Sequence, residues 1–186
     1  MDVRTALESR RSVKRFTERP VTREEIELLL DSAVHAPNHR LTQPWRFYVL
    51  GPESRAKYGA ALGVRKARKI EDPEAARLVA QKVEAEHRAL PAMIAVAMHL
   101  AEEAETREED YAATMMSVQN MMLAAAALGL GTHIKTGAIM QDPAARAAAG
   151  VAEGERIVAV VNVGEPAETG APRTRTPARE LTTWRD

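Results

Sequence analysis

The segment from Tyr111 to Leu128 constrains the fold most strongly, because it predicts the longest helix and its apolar residues surround most of that helix. Its apolar members are a run of four alanines together with Met115, Met116, Val118, Met121, Met122 and Leu123. Gly129 and Gly131 follow directly and end the helix. A helix that is apolar on more than one side must be covered on several sides. The chain therefore needs a layered domain around this segment.

Short apolar segments elsewhere predict the strands of a small sheet. Residues 46–50 alternate aromatic and β-branched side chains, and residues 92–98 form an apolar run introduced by Pro91. Residues 156–163 are apolar on both faces, which is typical of the centre of a sheet. Residues 132–137 predict a further short extended segment. Helices that separate three or more strands indicate an α/β or α+β domain.

Capping residues mark the other helices. Thr22 and Glu25 form a capping-box pattern before a helix whose Leu29 and Leu30 lie on one face. Asp2 predicts a first helix with Val3, Ala6 and Leu7 turned inward, and Asp–Pro pairs at 72–73 and 142–143 predict two more helix starts. The charged, alanine-rich stretch from 52 to 89 is expected to form surface helices. The acidic run 102–110 is expected to be a solvated loop and helix start.

The composition excludes several classes of function. The 186 residues favour one domain, and 26 basic and 26 acidic residues give no net charge, so whole-chain attraction to nucleic acid or membrane is not expected. The absence of cysteine excludes disulfides, thiol catalysis and iron–sulfur clusters. With no signal segment and no apolar run of the roughly 18 residues that a membrane span needs, we expect a soluble, cytoplasmic protein.

A polar loop from His35 to Phe47 is the best candidate site for chemistry. Pro37 ends the preceding helix and Pro44 favours an extended Gln43, so the residues between them are held in a defined loop. Ligand contact and a solvated connector remain alternatives. Because Pro37 separates His35 from His39, the two cannot form the one-face pair of a helical metal site, and no metal is expected.

The basic run from Arg10 to Arg15 has three interpretations. It is a solvated helix end, a phosphate clamp in which Ser12 adds a hydroxyl donor, or a nucleic-acid patch, which the neutral charge balance disfavours. No nucleophile elbow surrounds any serine, which argues against a hydrolase. The glycines at 129 and 131 follow a helix and lack the third glycine of a dinucleotide fingerprint. Arg173 and Arg175 repeat the basic theme in a tail, 165–186, that lacks a packing pattern.

Taken together, these motifs resemble the flavin-dependent nitroreductase family, in particular its short branch. The resemblance spans the chain, and its most specific part is the order and spacing of the two motifs nearest the start of the sequence. The matching motifs are Arg10-Arg11-Ser12, Ala36-Pro37-Asn38-His39 followed by Gln43-Pro44-Trp45-Arg46-Phe47, the apolar helix ending in Gly129-Leu130-Gly131, Lys135-Thr136-Gly137, Asn162-Val163-Gly164-Glu165-Pro166, and the arginine-bearing tail.

The resemblance implies an α+β, nitroreductase-like fold, with a central mixed β-sheet surrounded by helices, in an intertwined obligate homodimer with two FMN sites at the interface. The cofactor-binding residues that it implies fall into four groups. They are Arg10, Arg11 and Ser12 for the phosphate and ribityl chain; His35, Pro37, Asn38 and His39 reaching the flavin of the other subunit; Lys135, Thr136 and Gly137 along the isoalloxazine ring; and Arg173 and Arg175 completing the phosphate clamp. The tail is then expected to wrap the partner subunit.

The implied activity is an FMN-dependent NAD(P)H oxidoreductase that reduces nitroaromatics, quinones or a related small electron-poor acceptor. The flavin would carry the chemistry, so no catalytic side chain is expected, while a cation such as Lys135 would favour the anionic reduced flavin. Arg88 is a further candidate for the flavin pocket. Two alternatives stay open: a flavoprotein of the same fold that performs dehalogenation or a cofactor-biosynthetic oxidation, and a non-catalytic binding protein that uses the Arg10 segment.

Overall fold

In the described part of the chain, four strands form one central sheet. The structure, a computed structural model, describes residues 1–168, 170 and 174–185. In spatial order, the strands are β1 (Trp45–Val49), β2 (Ala92–His99), β4 (Glu155–Gly164) and β3 (Gly131–Lys135). The predicted strands are confirmed. The two central ones, β2 and β4, are those whose sequences are apolar on both faces.

The four strands pair only in antiparallel fashion, so the expectation of a mixed sheet is wrong for them. Among the described residues, a single parallel bridge between Ser12 and Thr132 extends the sheet beyond β3. The reason lies in the connections. Two antiparallel helices join β1 to β2 and return the chain to the end where β1 stops, and there the Leu50 N–H donates to the carbonyl oxygen of Met93 at 2.9 Å.

Six α-helices in the described residues surround the sheet. They are α1 (Val3–Ser9), α2 (Arg23–Ala33), α3 (Pro52–Ala67), α4 (Pro73–Arg88), α5 (Ala104–Ala127) and α6 (Pro143–Ala149). The predicted caps are present: Asp2, Asp72 and Asp142 each accept from backbone N–H groups of the first turn, and Thr22 and Glu25 form the reciprocal capping box. Gly150 ends α6 with φ +71°, a left-handed conformation that favours glycine.

The helices make a layer on each side of the sheet. On one face, Val118 and Met121 of α5 and Leu29 of α2 pack against Ile94 and Val161. On the other face, Tyr58 of α3 and Ala145 of α6 pack against the alternate strand residues, which include Met93, Ala95 and Val160. The long apolar helix α5 therefore packs against the sheet, α1 and α2, while Met116 stays 41% exposed.

One detail of the helix predictions is wrong. In α1 only Ala6 is buried, whereas Val3 is 72% exposed and Leu7 is 53% exposed, because one chain alone provides nothing to cover them. The acidic run is mostly exposed and starts α5 at Ala104, as predicted, although Asp110 at its end is buried. In the described part of the chain, no helix is long and apolar enough to cross a membrane.

Candidate functional site

The basic segment after α1 is attached to the edge of the sheet. Val13 donates its backbone N–H to the Thr132 carbonyl oxygen at 2.8 Å, and Ser12 bridges to Thr132. A Cβ atom on Gly131 would lie 2.6 Å from the Val13 Cγ2 atom, so the close approach requires glycine. The glycine that ends the α5 connection thereby also fixes Ser12 and its arginine neighbours beside β3.

A cavity of about 830 Å³ opens beside this segment, and we call it the first cavity. It brings together four residues that the sequence predicts as phosphate ligands, namely Arg10, Arg11, Ser12 and Arg175. The other lining residues are Leu7, Glu8, Lys14, Gln119, His133 and Gly170. Arg175 lies 165 positions after Arg10 in the sequence, so only the fold can place the two in one site.

The electrostatics of the first cavity favour an anion. Burial lowers the pKa of Arg10, and the neighbouring positive charges of Arg11 and Arg175 lower it further. The one carboxylate in the lining, that of Glu8, accepts from the Arg4 Nε–H at 2.9 Å. A bound phosphate would offset the repulsion among the guanidinium groups through charge-assisted hydrogen bonds.

Arg11 caps the end of α1 and also lines the first cavity. Its Nη1 group donates to the carbonyl oxygens of Glu8 at 2.6 Å and Arg10 at 2.9 Å, which satisfies free acceptors at the end of α1. Its Nε atom is buried and has no hydrogen-bond partner among the described residues. A buried donor without a partner costs about 1–3 kcal/mol, so this atom favours a ligand acceptor in the cavity.

A second cavity of about 720 Å³ continues the first. Both are lined by Lys14 and His133, so together they form one groove along the edge of β3. The remaining lining of the second cavity comes from Phe16, Thr17, Glu18, Lys66, Glu86, His87, Ala89, Leu90, Pro91, Lys135 and Asn162. The Asn162 Oδ1 atom is buried and has no hydrogen-bond partner in the described part of the chain.

The predicted residue Lys135 lies in this second cavity. Its Nζ atom is 3.3 Å from His87 Nε2. Burial lowers the pKa of Lys135, the positive charge of Lys66 lowers it further, and Glu86 acts in the opposite direction. Burial also lowers the pKa of His133, with smaller contributions from Lys135 and Lys14. The second cavity thus holds cations close together. It also contains two carboxylates, those of Glu18 and Glu86, whereas the first cavity contains that of Glu8.

Other predicted site residues lie outside this groove. Thr136 lines a separate cavity of about 270 Å³ beside Arg156, whose guanidinium carbon stands 5.1 Å from the centre of the Tyr111 ring. Gly137 follows Thr136 and is exposed. His35 lines an apolar depression between α1, α2 and α5, of about 350 Å³. Arg173 lies outside the described residues.

The loop that carries Pro37, Asn38 and His39 is ordered by its own side chains. Asn38 Oδ1 accepts the Gln43 N–H at 2.6 Å, and Asn38 Nδ2 donates to Thr42 Oγ1 at 2.9 Å. The Thr42 hydroxyl in turn donates to the buried carboxylate of Asp110 in α5. This chain of hydrogen bonds holds Pro37 and His39 at the surface, so within one chain they do not meet the arginines of the first cavity in the described structure.

Backbone strain in the same loop supports a functional role. Arg40, Leu41 and Gln43 adopt φ values of +56°, +52° and +44°, although none is glycine. Such conformations cost roughly 1 kcal/mol or more each and occur most often at functional sites. Leu41 is 78% exposed at the tip, so the strained segment presents an apolar side chain to its surroundings.

The sequence analysis did not identify several residues of the groove. His133 could have been found, because side chains two apart on a strand share a face and Lys135 is its partner at that spacing. His87 gave no such signal, since the α3–α4 segment matched no motif. Arg88, which was a candidate, instead forms an ion pair with Glu53 on the surface.

Comparison with known proteins identifies the family. A model of the Nitroreductase family matches residues 7–165. The chain belongs to the nitroreductase family. Within this family, it is 32% identical over 178 residues to YfhC of Bacillus subtilis, which is provisionally named an NAD(P)H nitroreductase; the match covers 96% of this chain and 91% of YfhC.

Solved structures of similar proteins agree with the nitroreductase fold. A nitroreductase-like family protein from Bacillus cereus superposes with a TM-score of 0.86 at 28% identity, covering 100% of this chain and 97% of the other. A provisionally assigned nitroreductase from Desulfovibrio desulfuricans, crystallised in complex with FMN, gives a TM-score of 0.75 at 26% identity and covers 100% and 98% of the two chains.

Proposed function

We propose that this nitroreductase-family chain is an FMN-dependent NAD(P)H oxidoreductase that reduces a nitroaromatic, a quinone or a related small electron-poor acceptor. The observation that carries the proposal is the groove, which has a cluster of arginines at one end and an extended, mixed-charge cavity at the other. FMN has the same asymmetry, because a phosphate lies at one end of the molecule and a planar ring system at the other. The similar protein of Desulfovibrio desulfuricans was crystallised with FMN.

The charges of the two cavities indicate the direction of the cofactor. The first cavity contains Arg10, Arg11 and Arg175, and its carboxylate is paired elsewhere, so it suits the phosphate. Ser12 would add a hydroxyl donor there. The second cavity balances lysines against carboxylates and suits the uncharged ring system, beside Lys135. When bound, FMN would supply the redox chemistry, passing two electrons from NAD(P)H to the acceptor.

The other predicted ligands would come from a second subunit or from a rearranged tail. One face of α5 is partly exposed and lies beside the exposed Val3. At helical spacing, this face carries Met116, Asn120, Leu123 and Ala127. A second copy covering this face would lie next to the first cavity, because Leu7 and Gln119 line that cavity from the same two helices. This supports a homodimer in which the loop bearing Pro37, Asn38 and His39, with His35 nearby, completes the partner's site.

The tail and the short segment after β3 complete this proposal. We place the arginines at 173 and 175 at the phosphate and the stretch 165–186 across the partner subunit, with Arg175 in the first cavity as support. Thr136 and Gly137 would lie along the ring once the partner closes the site. Cytoplasmic localisation stays a prediction from the sequence.

The test compares FMN with riboflavin, which lacks the phosphate. The purified chain should bind FMN, and NAD(P)H should bleach the bound flavin under anaerobic conditions until a nitroaromatic or quinone restores its absorbance. Arg10→Ala and Arg175→Ala should each weaken FMN binding by about 10-fold to 100-fold, since a charge-assisted hydrogen bond contributes about 1.5–3 kcal/mol. Riboflavin binding should hardly change in these variants.

Arg77→Ala is the matched control, because Arg77 is an exposed arginine of α4 that pairs with Glu74 at a distance from the groove. It should bind both flavins as the wild type does. A colourless chain that cannot be reconstituted with FMN would refute the proposal. An FMN-containing chain that NAD(P)H cannot reduce would show a flavoprotein with another reaction.

A further inference from the structure

His87 occupies an unusual position for a titratable side chain. It lies in the last turn of α4, is 5% exposed, and faces Tyr58 of α3 with the ring centres 6.3 Å apart. Its Nδ1 atom is 2.7 Å from the carbonyl oxygen of Val83. A carbonyl oxygen can only accept a hydrogen bond, so Nδ1 must carry the proton. In the neutral ring, Nε2 is then left with a free lone pair.

Lys135 meets that lone pair. Its Nζ atom lies 3.3 Å from His87 Nε2, and an ammonium group can only donate, so the direction of the hydrogen bond is fixed. Two positive charges at this distance would repel each other. Burial is the largest influence on His87 and lowers its pKa, and the charge of Lys135 lowers it further. The hydrogen bond of Nδ1 to Val83 raises the pKa of His87 but does not reverse its lowering, so the contact favours a neutral imidazole beside the Lys135 ammonium group.

This arrangement orients the ammonium group. A lysine has three N–H donors. The hydrogen bond to His87 uses one of them, and the other two remain for a ligand in the second cavity that Lys135 lines. A lysine without such an acceptor would sample several rotamers and lose that freedom when it binds a ligand. His87 removes part of that loss before the ligand arrives.

The surroundings contain charges of both signs. Lys14 and Glu18 face the pair from the segment before α2, Lys66 and Tyr58 from α3, Glu86 from α4 and His133 from β3. Among these, the positive charge of Lys66 opposes the charged form of Lys135, whereas Glu86 supports it. Among the described residues, His87 is within hydrogen-bond distance of the ammonium group, so this contact determines where the group points.

We propose that His87 is a positioning residue, which holds the Lys135 ammonium group through Nε2 so that it stabilises negative charge on the ligand of the second cavity. The identity of this ligand, the ring system of FMN, rests on the proposed function. Negative charge on that ring increases on reduction, and a fixed cation contributes more to such a charged state than to the neutral one. Lys135 and His87 should thus favour the reduced cofactor over the oxidised one.

The first test uses the full chain without flavin. Nitrogen-15 NMR of the imidazole rings should show His87 neutral at pH 7, with the proton on Nδ1, and its second proton should bind at a lower pH than in a free imidazole. Lys135→Met should raise the pH at which His87 takes up its second proton, because a neighbouring charge is removed. A proton on Nε2 in the wild type, or an unchanged titration in Lys135→Met, would overturn the proposal.

The second test separates the two nitrogens of His87. Glutamine can place its amide oxygen near the position of Nε2 and keep an acceptor for Lys135, whereas asparagine can only imitate Nδ1 and keep the bond to Val83. His87→Asn and Lys135→Met should each weaken binding of reduced FMN relative to oxidised FMN about tenfold, which lowers the two-electron potential by about 30 mV. His87→Gln should stay within threefold of the wild type.

The double variant decides whether the two residues act together. Lys135→Met combined with His87→Asn should behave like Lys135→Met alone, since His87 acts only through Lys135. Additive effects, or a His87→Gln variant as impaired as His87→Asn, would refute the positioning role. A wild type that binds no FMN would defeat the proposed function instead, and the flavin-free NMR experiment would still decide whether the pair exists.

Discussion

Two glycines of α3 set how closely α4 approaches, and replacing them tests the packing that places His87. A Cβ atom on Gly63 would lie 2.7 Å from the Ala80 carbonyl oxygen and 2.8 Å from Ala80 Cα, and one on Gly59 would lie 2.6 Å from His87 Cβ. Carbon atoms in ordinary contact are about 3.5–4.0 Å apart, so α4 would have to move by roughly 1 Å. The atoms around Gly63 belong to the backbone and cannot rotate away.

Two opposing effects determine how much Gly63→Ala changes the free energy of unfolding. Alanine is about 1 kcal/mol better than glycine in a helix interior. Overpacking a tight contact costs about 1–3 kcal/mol, and a clash with backbone falls at the upper end. We therefore expect Gly63→Ala to lower the free energy of unfolding by about 2 kcal/mol and the melting temperature by about 4–8 °C for a domain of this size.

Urea unfolding without added flavin measures the effect, and Val64→Ala on the same helix is the control. Val64 is 58% exposed, so its replacement should change stability by less than about 0.5 kcal/mol. Gly59→Ala should destabilise the chain similarly and in addition alter the NMR signals of His87, which Gly63→Ala should affect far less. A Gly63→Ala variant as stable as the wild type would show that α3 and α4 are packed more loosely than the contact distances indicate.

Three further predictions concern the loop, the dimer and pH. Thr42→Val should cost about 1–3 kcal/mol in urea unfolding because the buried Asp110 carboxylate loses its donor, while Thr42→Ser should restore most of it. Val3→Glu should convert the proposed dimer to a monomer by light scattering, whereas Leu78→Glu, at a position that is also exposed but lies on α4, should not; a dimeric Val3→Glu would exclude the α1 face from the interface. Because the pKa of His87 is lowered, the unfolded chain binds the extra proton first, so stability should fall as pH drops below about 6.5, and His87→Asn should show a smaller loss between pH 7 and 5. Equal losses in the two proteins would contradict that assignment.

The parts of the fold that the sequence predicted correctly depend on local chemistry. The capping box at Thr22 and the left-handed stop at Gly150 each involve residues a few positions apart, so their outcome does not depend on the rest of the fold. The strands β2 and β4 were also predictable from short segments, because a continuous apolar run is typical of a strand that is covered on both faces. The exposure of Leu7 was not predictable in this way, because a periodic pattern shows which face is apolar and not what covers it.

The candidate site required distant contacts that no motif encodes. Arg10 and Arg175 could be paired through the family resemblance, but the contact between His87 and Lys135 depends on α4 packing against α3 through Gly59. That packing is set by the absence of a side chain, which carries little signal in a single sequence. The loop residue His39 illustrates the opposite limit. Its motif is recognisable, but within one chain it lies at the surface away from the arginines of the first cavity.

The neutral charge of the whole chain is compatible with strong local attraction for an anion, because the carboxylates near the first cavity are already paired. Glu8 binds Arg4, and Glu168 at the start of the tail binds Arg15 on the outer side of the same segment. Coulomb interactions between exposed groups fade over a Debye length of about 8 Å at physiological salt, so distant acidic residues hardly reduce the potential inside the groove. The charge balance that argues against nucleic acid as a partner therefore does not weaken the case for a phosphate at Arg10.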